Sequence, residues 1–160
     1  MGNRTLVIGI GNNSRGDDGL GWACLDRLAE RPLGAWQLEY RYQLAPEDAE
    51  LMAHFPAVLF IDACASALPG GFSLEPCPPD PGAGLYTHQQ TPGAVLHLCR
   101  ELYGRQPQAW LLRIQGHKWT LGTGLTKAAR SNLKQAVAHL FQYFQEPLAA
   151  CPGPTLLAQN

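Results

Sequence analysis

Near its start the chain passes from a strand to a helix through a glycine-rich loop. The apolar run Thr5–Ile8, bounded by Gly9 and Gly11, reads as a buried strand. The loop GIGNNSRGDDG follows, and then Leu20, Ala23, Cys24, Leu25 and Leu28 recur at helical spacing. Asp17 and Asp18 stand where helix caps and first-turn acids belong, and Pro32 and Gly34 stop the helix. A buried strand feeding a helix in this way opens a βαβ unit, and such units build parallel sheets covered on both faces.

The rest of the chain continues the alternation. Gln37 to Tyr42 alternates as a second strand, and Pro46 opens a short helix, Glu47 to His54. Ala57 to Ile61 is a third apolar strand with Asp62 at its end. FSLEP is a strand after the turn at Gly70 and Gly71, and Pro76 to Gly84 is loop. Pro92 starts a helix running through Ala94 to Leu102, Trp110 to Ile114 is a further strand, and Thr126 caps a long helix reaching about Phe144. The expected architecture is one three-layer α/β/α domain over residues 1–146, with a mostly parallel central sheet and helices on both faces. Residues 147–160 are expected to be a flexible C-terminal tail.

Composition narrows the function. A chain of 160 residues with 46% hydrophobic content supports a single core, and a net charge of −1 provides no electrostatic footprint for nucleic acid or an anionic membrane. No apolar stretch has the length of a membrane span, and the short N-terminal run reads as a strand and not as a signal peptide. The five scattered cysteines form no C-x-x-C pair, which fits free thiols in a reducing cytoplasm.

Sites in open α/β sheets form beyond the carboxyl ends of the strands. Asp17 and Asp18 follow the first strand, Asp62 ends the third, and His88 lies in the long loop before the Pro92 helix. Two carboxylates and an imidazole form an oxygen and nitrogen donor set that suits zinc, nickel or iron. One of the paired acids is better read as a helix cap. Gly9-Ile10-Gly11 begins like a dinucleotide-binding fingerprint, but Ser14 ends it and the acids beyond would repel a pyrophosphate. There is no phosphate-binding lysine loop, and neither Ser14 nor Ser66 sits in G-x-S-x-G.

LVIGIGNNSRGDDGLGWACLDRL resembles the opening of the [NiFe]-hydrogenase maturation endopeptidases, a strand followed by G-x-G-N, then G-D-(D/E)-G-x-G and a helix. AVLFIDAC resembles the second acidic motif of that family, YTHQQTPGAVLHL the segment with its histidine, and IQGHKWTLGTGLT its last motif. The resemblance runs from about Leu6 to Phe144. It implies a cytoplasmic peptidase that removes the C-terminal extension of a hydrogenase large-subunit precursor after nickel insertion. It implies that Asp18, Asp62 and His88 are catalytic and bind nickel supplied by the substrate. By the same resemblance Gly9, Gly11, Asn12, Gly16, Asp17 and Gly19 shape the loop. Tyr42-Gln43-Leu44-Ala45-Pro46-Glu47 replaces the D-G-G-T segment of many members and resembles the subgroup serving NAD(P)-linked, multi-subunit cytoplasmic hydrogenases. Substrate recognition is therefore expected around Gln43 and Glu47. Two other readings are a self-contained metallohydrolase of a small substrate, holding zinc at the same three residues, and a precursor-binding chaperone without proteolysis, which would not require the acids.

Overall fold

A computed structural model describes residues 4–31, 34–82 and 90–144. Among these residues five strands form one sheet: β1 (Thr5–Ile10), β2 (Trp36–Arg41), β3 (Ala57–Cys64), β4 (Phe72–Pro76) and β5 (Gln108–Gln115). The described α-helices that cover it are α1 (Leu20–Glu30), α2 (Asp48–Met52), α3 (Pro92–Tyr103) and α4 (Lys127–Tyr143). The strand order is β2-β1-β3-β5-β4, parallel except for the antiparallel edge strand β4. The fold is thus α/β with a mostly parallel sheet, as its alternating pattern implies.

Two apolar cores flank the sheet. One joins Leu20, Cys24, Leu25 and Leu28 of α1 and Ala129, Leu133, Ala136 and Leu140 of α4 to the strand residues of that face. The other joins Ala49 and Met52 of α2 and Val95, Leu96, Leu98 and Cys99 of α3 to Leu6, Ile8, Val58 and Phe60. Successive residues of β1 therefore serve opposite layers, as strand alternation requires. Cys24 and Cys99 are buried, Cys64 and Cys77 are half-buried, and all four are free thiols. No described helix is long and apolar enough to cross a membrane.

Helix α1 lies close against the sheet because Gly21 has no side chain. A Cβ there would collide with the Ile10 carbonyl and approach the Ile61 carbonyl to 2.8 Å. Thr91 and Thr126 cap α3 and α4 by accepting the Ala94 and Ala129 amides at 3.1 and 3.2 Å. Four expectations shift. The helix after Pro46 is only Asp48–Met52, and Tyr42 lies beyond β2. Strand β3 continues past Ile61 because β5 pairs with it through Cys64, so Asp62 sits inside the strand and not at its end. The acids after β1 do not cap α1: they lie in a separate 3-10 turn, Gly16–Gly19, and Gly19 precedes the helix without a side-chain cap.

Helix α1 leads from β1 outward to β2 on one face, and α2 leads back from β2 to β3 on the other. The winding direction reverses between β1 and β3. That reversal leaves a crevice at their carboxyl ends, the place where open α/β sheets hold their ligands.

Candidate active site

Pairing between β1 and β3 stops at Gly9 with Ile61, one residue before Asp62. Asp62 is therefore the first residue of β3 with a partner only on the β5 side, opposite Arg113. Its Oδ1 accepts the Ala63 amide at 2.8 Å. Burial pushes its pKa up to about 7, the Ala63 amide opposes the rise, and the Asp18 charge adds to it. The two carboxylates thus share an environment in which both cannot ionise cheaply.

Asp18 is presented by the loop between β1 and α1. Gly11 makes this possible. Its φ of +144° suits a residue without Cβ, and a Cβ there would run into the Asp18 carbonyl. That carbonyl accepts the Asn12 amide at 3.1 Å, and the Asn12 side chain accepts the Ser14 amide at 2.9 Å. The Asp18 carboxyl is half-buried, and burial raises its pKa against the lowering influences of the Asn12 amide and the Arg15 charge. Gly9 lies within β1 under α1, and Gly16 and Gly19 bound the 3-10 turn.

Asp17 points elsewhere and is fully buried. Its Oδ2 accepts the His117 and Lys118 amides at 2.7 and 3.1 Å and the Thr126 hydroxyl at 2.8 Å, while Oδ1 accepts the Thr126 amide at 2.8 Å. Burial is the largest influence on its pKa and raises it, but the Thr126, His117 and Lys118 hydrogen bonds together bring the net shift below 3.8. Backbone bonds run alongside: the Asp17 amide donates to the Lys118 carbonyl at 2.8 Å and the Gly16 amide to the Gly122 carbonyl at 2.9 Å. Asp17 thereby clamps the loop after β1 to the loop before α4, which no count of neighbours along the chain reveals.

His88 lies outside the described residues, so the structure brings together two of the three expected ligands. The described chain resumes at Gln90, which bridges Leu44 in the loop after β2. Gln43 and Glu47 are both exposed in that loop. Asp48 beside them is buried, accepts the Ala45 amide at 2.9 Å and pairs with Arg41 at 3.0 Å. Among the described residues no group of three or more His, Cys, Asp or Glu side chains converges as a metal site. Of the other histidines, His97 contacts Arg100 at 3.2 Å, and the His139 ring lies tilted 5.2 Å from that of Phe72. The Thr126 clamp and the Trp22, Asp26 and Tyr40 cluster described below escape a reading by motif, because their partners are far apart in sequence.

The pair can accept a cation, which would relieve its repulsion, or it can hold and release a proton near neutral pH. Both behaviours belong to hydrolytic centres, and a doubly wound α/β domain with paired acids at its winding reversal is a fitting frame for one.

Several solved structures share this architecture. The [NiFe]-hydrogenase maturation protease HycI from Thermococcus kodakarensis KOD1 superposes with a TM-score of 0.68 at 22% identity, covering 90% of this chain and 94% of that one. The hydrogenase maturating endopeptidase HybD from E. coli matches with a TM-score of 0.66 at 22% identity, covering 87% and 93%. The [NiFe]-hydrogenase maturation protease HybD from Thermococcus kodakarensis matches with a TM-score of 0.61 at 21% identity, covering 88% and 99%. The chain shares the fold of these proteases. No protein-family model matches the chain. No curated protein matches it in sequence.

Proposed function

We propose that this chain is a cytoplasmic endopeptidase that removes the C-terminal extension of a [NiFe]-hydrogenase large-subunit precursor after nickel insertion. The observation that carries the reading is the Asp18 and Asp62 pair at the winding reversal of a fold shared with maturation proteases. In this reading the nickel is part of the substrate, and Asp18, Asp62 and His88 receive it. A nickel-loaded precursor offers the acids a counter-charge. An unloaded one lacks that counter-charge, so specificity arises as a difference of affinities. Docking through the cation places the scissile peptide beside groups able to take up a proton from water. Asp17 acts through position, holding the loop before α4 against the loop that presents Asp18. Gln43 and Glu47, exposed after β2, read the precursor, whose hydrogenase is of the NAD(P)-linked, multi-subunit type.

The test is incubation with candidate precursors, with and without nickel, followed by mass spectrometry. The wild type is expected to shorten only the loaded precursor, and Asp18→Asn, Asp62→Asn and His88→Ala are expected to lose that activity while folding. A variant that trims at the normal rate removes its residue from the mechanism. Tightly bound zinc in freshly purified protein would instead support a self-contained metallohydrolase.

A further inference from the structure

We infer that the groove beside Trp22 and Asp26 is a subsite for one basic side chain, lysine or arginine, of the precursor polypeptide. The inference rests on the endopeptidase reading. The groove encloses about 130 Å³ and runs between the 3-10 turn, the first turns of α1 and the Gly124–Leu125 segment. Sites for small molecules occupy roughly 300–1,000 Å³, so this one suits a single side chain.

Its chemistry selects the charge. Trp22 and Asp26 are four residues apart on α1 and share one face of it. The Trp22 indole N–H is already bonded to the Arg41 carbonyl at 3.0 Å, and the Tyr40 and Tyr42 rings lie against the indole at 5.7 and 5.0 Å, so the residue offers a ligand only the part of its ring that lines the groove. The Asp26 Oδ1 accepts the Tyr40 hydroxyl at 2.6 Å, which orients the carboxylate and leaves Oδ2 to a partner. Among the described residues no Lys, Arg or His forms an ion pair with Asp26. An oriented carboxylate beside an indole attracts a cation by charge-assisted hydrogen bonding and by the ring quadrupole. An anionic side chain is repelled there, and an apolar one offers the carboxylate no counter-charge.

The groove is also tied to the candidate active site. Gly16 and Gly19, which line it, bracket Asp17 and Asp18 in the 3-10 turn. The Arg41 carbonyl that fixes Trp22 accepts the Gly11 amide at 2.9 Å as well. A basic residue seated in the groove therefore holds its own backbone close to the Asp18 turn, as a residue near the scissile bond must be held.

Two measurements test this. In the first, Asp26→Asn is assayed on nickel-loaded precursor and is expected to lose roughly tenfold in kcat/KM, the scale of one charge-assisted contact, carried by KM. On a precursor whose lysines and arginines near the cleavage point are changed to glutamine, wild type and Asp26→Asn are expected to be equal. In the second, the Trp22 indole N–H signal is followed by NMR while N-acetyl-arginine amide or N-acetyl-citrulline amide is added. Arginine is expected to shift it saturably in the wild type and not in Asp26→Asn, and citrulline to leave it unmoved. The subsite is refuted if Asp26→Asn cleaves as fast as the wild type a precursor that the wild type trims, or if both ligands shift Trp22 equally or not at all. Should the wild type trim no loaded precursor while arginine still shifts Trp22, the endopeptidase reading fails and the basic-side-chain site stands.

Discussion

Replacing Asp62 with asparagine removes a carboxyl whose ionisation the fold resists. Burial, with the Asp18 charge and against the Ala63 amide, lifts its carboxyl from 3.8 to about 7. The folded chain therefore holds this proton more tightly than the unfolded chain does. Its contribution to stability is complete below about pH 3.8 and is lost as pH rises through about 7. About three pKa units at about 1.4 kcal/mol each set a ceiling of ~4 kcal/mol on the cost of carrying the ionised group at about pH 8. Asparagine keeps the shape and an acceptor for the Ala63 amide, but its own amide is also partly desolvated. Asp62→Asn is thus expected to be more stable than the wild type by ~2–4 kcal/mol at about pH 8, with the gap closing towards about pH 4. Urea unfolding of both proteins across that range, with a chelator present, measures it. A variant less stable than the wild type at about pH 8, or a difference that does not change with pH, refutes the reasoning. Against a total stability of roughly 5–15 kcal/mol, the predicted gain is large, and it would come with loss of the proposed activity.

Two further perturbations probe how the site is held. Asp17→Ala strips the acceptor from three backbone amides and the Thr126 hydroxyl, and should cost ~3–5 kcal/mol at neutral pH. Because the folded pKa of Asp17 lies below 3.8, that contribution is present above the unfolded value and is lost as pH falls through the folded one. Denaturant unfolding, together with faster amide exchange at His117 and Lys118, reports the loss, and unchanged exchange there would contradict the clamp. Gly21→Ala places a Cβ against the Ile10 and Ile61 carbonyls and should destabilise by ~1–3 kcal/mol or more by lifting α1 from the sheet. A thermal melt equal to the wild type would show that the helix accommodates the methyl group without strain.

Local pattern was enough for much of the architecture. The run Thr5–Ile8, the helical spacing from Leu20 to Leu28, Pro92 at a helix start and the cap at Thr126 are short-range features, and the folded elements lie where they point. Boundaries moved where a neighbour in space decided them. Strand β3 outlasts its apolar stretch because β5 continues to pair with it, and this puts Asp62 within a strand. The candidate acids were legible as residues, since Asp18 and Asp62 each follow or end an apolar strand.

Their mutual influence was not legible, because it depends on β1 and β3 being neighbours across the winding reversal. The division of labour between Asp17 and Asp18 is of the same kind. Adjacent, chemically identical side chains project differently from a 3-10 turn, so one meets four donors from distant loops while the other stays beside Asp62. Residue type and spacing along the chain settle strands, helices and caps, since these depend on backbone sterics and hydrogen bonds over a few residues. Which carboxylate is a clamp and which is a candidate ligand depends on donors and charges that come close only after the chain has folded.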